Sequence, residues 1–165
     1  MSNAELQSIA DVGKEVLQML PHKAGACAHL TACWVTIVRE RLQLPVKQMV
    51  GHLTVNGTLV FGRPKEKLQV PLAGSVENWD GHSWLTYEEY IGDISIFRTA
   101  YSSVSPLLLK EVILQHFGEG RGLLLARMSD CQQTGISYLP MRELADSEIE
   151  GLKLGTRRFF QVLGK

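Results

Sequence analysis

Nowhere in the 165 residues does an apolar run approach the length of about 20 that a bilayer-spanning helix requires, so no membrane partner is expected. A charge excess is missing as well: Lys+Arg and Asp+Glu both number 17, and the formal net charge is zero. Binding to a phosphate backbone draws on surplus basic side chains, so nucleic acid is not an expected partner. The opening segment, residues 1–16, carries acids where a secretion signal has a basic start and an apolar block. A cytoplasmic location is the resulting expectation, export by a signal-independent system aside. Cysteine is scarce and odd in number, at Cys27, Cys33 and Cys131. Without an export signal that speaks against a disulfide framework and leaves metal binding, catalysis or burial. Internal repeats and low-complexity tracts are absent too. Apolar residues at 45% and charged residues at 21% exclude extended disorder and suit one globular domain over residues 1–165.

What is present begins with helical periodicity. Leu6, Ile9, Ala10, Val12, Val16, Leu17 and Leu20 share a face over residues 4–20, and Pro21 ends that helix. After a short loop a second helix is predicted from Cys27 to Leu42, striped by Leu30, Cys33, Trp34, Ile37, Val38 and Leu42. Arg39 and Arg41 fall in its last turn, where the helix dipole favours cations. The period then changes to two. Residues 46–55 and 58–61 flank Asn56-Gly57, a strong hairpin signal. Residues 62–80 read as a surface loop with a short strand at 68–72, and its Lys and Arg at 63–67 as a solvated run. Strands follow at His82–Tyr87 and Tyr90–Phe97, turning at Glu88-Glu89. Ser105-Pro106 opens a further helix with Leu108, Leu109, Val112, Ile113 and Phe117 on one face. A strand at Leu123–Met128, another at Ile136–Leu139 and a helix capped at Asp146 or Ser147 complete the chain. The order predicts α+β with a mainly antiparallel sheet, its core segments at about 20–97 and a helix-strand-helix portion at 104–165.

Three residues stand in a chemically meaningful order. Cys27 follows Gly25-Ala26 and opens a helix, where unpaired amides and the positive dipole end favour an anion and can hold an oxyanion. His82 follows Gly81 at the start of a strand. With a turn near residue 88, the antiparallel partner of position 82 falls near 94 or 95, which brings Asp93 close to opposite His82. A carboxylate there holds an imidazole in the tautomer that accepts a thiol proton.

The segments Ala24-Gly25-Ala26-Cys27-Ala28-His29-Leu30, Gly81-His82-Ser83-Trp84-Leu85 and Ile91-Gly92-Asp93-Ile94 resemble those of the papain-like, transglutaminase-core cysteine hydrolases. That superfamily includes transglutaminases, arylamine N-acetyltransferases, bacterial peptidases and deamidase toxins. The resemblance implies a papain-like domain whose cysteine-bearing helix packs on an antiparallel sheet. It implies Cys27 as nucleophile, His82 as general acid/base and Asp93 as the residue orienting it. The expected activity is acyl transfer, as a peptidase, amidase or deamidase on a protein or peptide-like amide, with no cofactor. A fold-preserving binding or regulatory module and an amine-acceptor acyltransferase are the alternatives. No upstream glutamine or asparagine offers a second oxyanion donor; Gln18, the nearest, lies inside the first helix.

Other residues carry plainer readings. Trp79 lines a substrate groove or packs under its loop, with both options open. Trp34 and Trp84 belong to the core, Cys33 is structural, and Cys131 is a loop residue. His22, Cys27, His29 and Cys33 make a legal zinc set, but Cys27 and His29 point about 200° apart on a helix, so no metal site is expected. His29 is then placed near the active site or on the surface. Gly118, Gly120 and Gly122 precede a strand instead of joining a strand to a helix, and read as a helix stop rather than a phosphate loop.

Overall fold

A computed structural model of the chain describes residues 2–62 and 81–161; Trp79 and the expected strand at 68–72 lie outside the described residues. The first helix, α1, runs Asn3–Met19. Ser2 caps it: its hydroxyl accepts the Glu5 amide while the Glu5 carboxylate accepts the Ser2 amide, a reciprocal capping box. Ile9, Val12 and Val16 form its buried stripe. Gly25, at φ 77°, turns the chain into α2, Cys27–Leu42, with the boundaries expected from its stripe. The Trp34 indole N–H donates to the Ile9 carbonyl at 2.8 Å and fastens α2 to α1.

Strands β1 (Lys47–Val55) and β2 (Thr58–Phe61) form the expected hairpin, with Asn56 at φ 49° and Gly57 at φ 77° as a type I′ turn demands. The strand β3 (His82–Tyr87) pairs with β4 (Tyr90–Asp93), which stops four residues short of the expected end. The cause is local. Asp93 Oδ1 accepts the amides of Ser95 at 2.9 Å and Ile96 at 3.0 Å, bending the chain into a short helix, α3 (Ile96–Tyr101). Then come α4 (Leu107–Phe117), β5 (Leu124–Arg127), α5 (Met128–Gln133), β6 (Ile136–Glu143) and α6 (Asp146–Gln161). Cys131 belongs to α5 and is buried, not a loop residue as expected.

Among the described residues the sheet has six strands, and every pairing is antiparallel. Along one edge β1 pairs with β6; along the other it pairs with β3 and then β2, while β4 and β5 extend the sheet beyond β3. Helices cover both faces. On one, Ile9, Val16, Leu30, Trp34, Val38, Val50, Leu85 and Leu152 cluster beneath α1, α2 and α6. On the other, Leu53, Trp84, Ile91, Phe97, Leu109, Ile113 and Ile136 cluster with α3, α4 and α5. The chain is thus α+β, with helices packed on an antiparallel sheet. Trp34 and Trp84 sit one on each side, both essentially without exposure. Each such ring removes roughly 150–250 Å² from water, worth about 4–6 kcal/mol before entropic costs. Among the described residues no helix is long and apolar enough to cross a membrane.

Candidate active site

The site forms where α2, β3 and β4 meet at a rim of the sheet. Two buried polar contacts anchor α2 there. The Gln48 amide on β1 donates to the Ala28 carbonyl at 3.0 Å and to Ser83 Oγ at 2.9 Å, and Thr31 Oγ1 donates to the Ser83 carbonyl at 3.3 Å. These bonds tie the first turn of α2 to the start of β3, so Cys27 and His82 are held by one network. Both line a cavity of about 510 Å³. Cys27 has no side-chain cap in front of it and occupies the first helical position.

On β3 the period of two puts His82 on the same face as Trp84, and the diagonal across the ladder brings in Asp93. His82 Nε2 and Asp93 Oδ2 are 2.5 Å apart, with both side chains almost fully buried. With Nε2 committed to the carboxylate, Nδ1 is the ring nitrogen left for sulfur. Burial alone would lower the His82 pKa. The Asp93 charge and hydrogen bond oppose that, a hydrogen bond to Cys27 adds to them, and the group is pushed up to about 10. Asp93 moves the other way: burial would raise it, but the neighbouring imidazolium and its hydrogen bonds hold it below the usual carboxylate range.

Aromatic rings shield the pair from water. Phe61 stacks on the imidazole with centroids 5.4 Å apart, Trp84 lies at 6.2 Å and Tyr138 at 6.1 Å. Tyr138, on β6, does more than pack: its hydroxyl donates to Asp93 Oδ2 at 2.8 Å. Sequence reading missed this residue, which lies 45 positions beyond Asp93 in a strand without a recognisable motif. Alternation along Ile136–Leu139 marks Tyr138 as inward-facing, and that is the only signal available.

The remaining cysteines and histidines sort differently from Cys27 and His82. Cys33 is half-buried, 3.5 Å from Thr156 Oγ1, and its thiol is pushed up by burial. Burial and the Asp93 and Asp130 charges push Cys131 up to about 11. His29 is buried rather than on the surface, and it does not line the cavity. Two positions past Cys27 its ring faces α6, with Nδ1 3.0 Å from the Leu152 carbonyl and the ring stacked 4.5 Å from Phe159. Burial lowers its pKa. Among the described residues no three His, Cys, Asp or Glu side chains gather as a metal-ligand cluster. Gln48 is no oxyanion donor, since its amide N–H groups serve Ala28 and Ser83. No protein-family model, no curated protein and no solved structure matches the chain.

Proposed function

We propose that the chain is a cysteine-nucleophile acyl-transfer enzyme of papain-like, transglutaminase-core type, hydrolysing a protein or peptide-like amide. The observation that carries this reading is the buried His82–Asp93 pair, 2.5 Å apart, whose His82 lines one cavity together with Cys27. Cysteine chemistry needs a base held in one orientation by a third group, with a space beside it for the reacting carbonyl. A His82 ring kept protonated by Asp93 also supplies the proton that a departing amine takes up.

In the reaction the Cys27 sulfur attacks the scissile carbonyl carbon, with the proton it gives up already carried at Nδ1 of the His82 imidazolium. Main-chain amides at the start of α2 hold the oxyanion. His82 returns the proton to the departing amine as the C–N bond breaks, leaving a thioester on Cys27. Water, deprotonated by His82, then releases the acid and restores the thiol. Asp93 keeps the ring oriented throughout, and Tyr138 steadies Asp93. Interception of the thioester by an amine would make the same chemistry a transferase.

The test is alkylation of the native protein by iodoacetamide near neutral pH, with each cysteine followed by mass spectrometry. Cys27 reacts at least about tenfold faster than Cys33 and Cys131, and His82→Ala removes the difference. Equal rates at the three cysteines would overturn the catalytic reading and favour a binding module that keeps the site without turnover.

A further inference from the structure

The helix that follows Asp93 turns two unlike faces to its surroundings. Ile96, Phe97 and Ala100 are buried in the core. Ser95, Arg98, Thr99 and Ser102 recur at helical spacing on the other side, and all four line the cavity that holds Cys27 and His82. His22 and Lys23, from the loop before α2, line it too. No carboxylate lines the cavity among the described residues.

The charges on this wall are not neutralised within the described structure. Arg98 donates to the Leu20 carbonyl at 2.7 Å and the Leu17 carbonyl at 2.5 Å, at the C-terminal end of α1. Those bonds fix the plane of the guanidinium and occupy two of its five N–H groups. Lys23 Nζ donates to the Phe159 carbonyl at 2.5 Å and lies over the Phe159 ring, again without an acid. Asp93 is close in sequence but committed to His82, Tyr138 and the amides that start α3. The Thr99 hydroxyl has no partner among the described residues. Leu30, Val60, Phe61 and Val104 add apolar side chains to the lining of the same cavity.

We propose that the cavity selects an acyl donor carrying a carboxylate, seated against Arg98 and Thr99 with Lys23 in support, and its apolar part against Phe61 and Val60. This inference rests on Cys27 being the nucleophile and names the substrate class of that same site: acidic peptide-like amides. A pre-oriented guanidinium matches a carboxylate with parallel N–H groups, and a partly desolvated cation without a counter-ion gains most from acquiring one.

The two-reagent form of the alkylation experiment tests it. Iodoacetate and iodoacetamide differ only by a carboxylate in place of an amide, and the readout is the ratio of their rates at Cys27, referred to glutathione in the same buffer. The ratio at Cys27 exceeds the glutathione ratio by about fivefold or more at low salt and declines as salt screens the wall. Because the His82 imidazolium also attracts iodoacetate, the variants decide. Arg98→Gln lowers the ratio at least about threefold, Lys23→Gln lowers it independently, and the distant charge-removal control Lys47→Gln leaves it unchanged. Should Arg98→Gln disturb α1 and slow both reagents, Lys23→Gln and the salt series decide the outcome. A fast Cys27 whose ratio ignores both substitutions overturns the carboxylate subsite and leaves the proposed function standing. A Cys27 no faster than glutathione toward either reagent overturns both.

Discussion

Asp93 gathers five hydrogen bonds: from His82 and Tyr138 on Oδ2, and from the Ser95 amide, the Ser95 hydroxyl and the Ile96 amide on Oδ1. A buried charge is tolerated only when satisfied in this way. The pair with His82 makes stability depend on pH with a definite sign. His82 is raised from 6.5 to about 10, so its contribution is complete below pH 6.5 and is lost as pH rises through about 10. The lowered Asp93 contributes above 3.8 and loses its share as pH falls through its folded value. The stability gap between wild type and Asp93→Asn, measured by urea unfolding, is therefore widest between pH 3.8 and 6.5 and narrows steadily toward about pH 10. A gap that stays constant over that range would show that the two side chains are not coupled as charges. The juxtaposition of Cys27, His82 and Asp93 was legible because each sits beside a local signal: a glycine turn before a helix, Gly-His at a strand start, and a hairpin register. The Tyr138 and Arg98 contacts were not, because they arise only from how distant elements pack.

At the scale of elements, the spacing of the site is set by how closely α2 approaches β4. Gly92 makes that approach possible. A Cβ there would lie 2.6 Å from Trp34 Cη2 and 2.8 Å from Cζ3, inside van der Waals contact with a rigid ring that is itself bonded to α1. Gly92→Ala thus forces β4 away from α2, at a cost of about 1–3 kcal/mol, and displaces Asp93, the next residue, relative to Cys27. Alkylation of Cys27 slows together with the loss of stability. Gly57→Ala separates the two effects: nothing lies within 4 Å of its Cβ, but its φ is +77°, so it costs about 1–2 kcal/mol in backbone strain alone. Cys27 keeps its rate in that variant. Equal reactivity of the two variants would mean that the α2–β4 distance does not govern the site. Long elements with clean periods, such as α2 and the β1–β2 hairpin, could be read from the chain. The six-residue helices α3 and α5 could not, because a helix that short shows less than two turns of pattern and is fixed by side-chain bonds and burial.

Over the whole molecule, two buried histidines pull stability in opposite directions. His82 lies on the side of the sheet covered by α3–α5 and strengthens the fold as a cation. His29 lies on the other side, between α2 and α6, and must stay neutral: burial, then the nearby Lys23 charge, lower its pKa against a hydrogen bond to Leu152 that raises it. For a histidine so depressed the unfolded chain binds the extra proton first. Its contribution is present above 6.5 and is lost as pH falls through the folded value. The α+β class followed from element order, but which helices cover which face did not, since a helix stripe names no partner. That assignment is what gives the two histidines different neighbours. Thermal unfolding should therefore show a maximum in Tm near pH 6.5, where His29 is still largely neutral and the His82 contribution has not begun to fall. His29→Leu flattens the acid limb and leaves the alkaline limb intact, whereas Asp93→Asn flattens the alkaline limb. If His29→Leu leaves the acid limb as steep as in wild type, protonation at the α2–α6 contact is not what loosens the molecule in acid. Cys27 links the two limbs, because the helix that His29 holds against α6 is the one that presents the thiol to His82. Acid that protonates His29 should on this account slow Cys27 alkylation in wild type more than in His29→Leu.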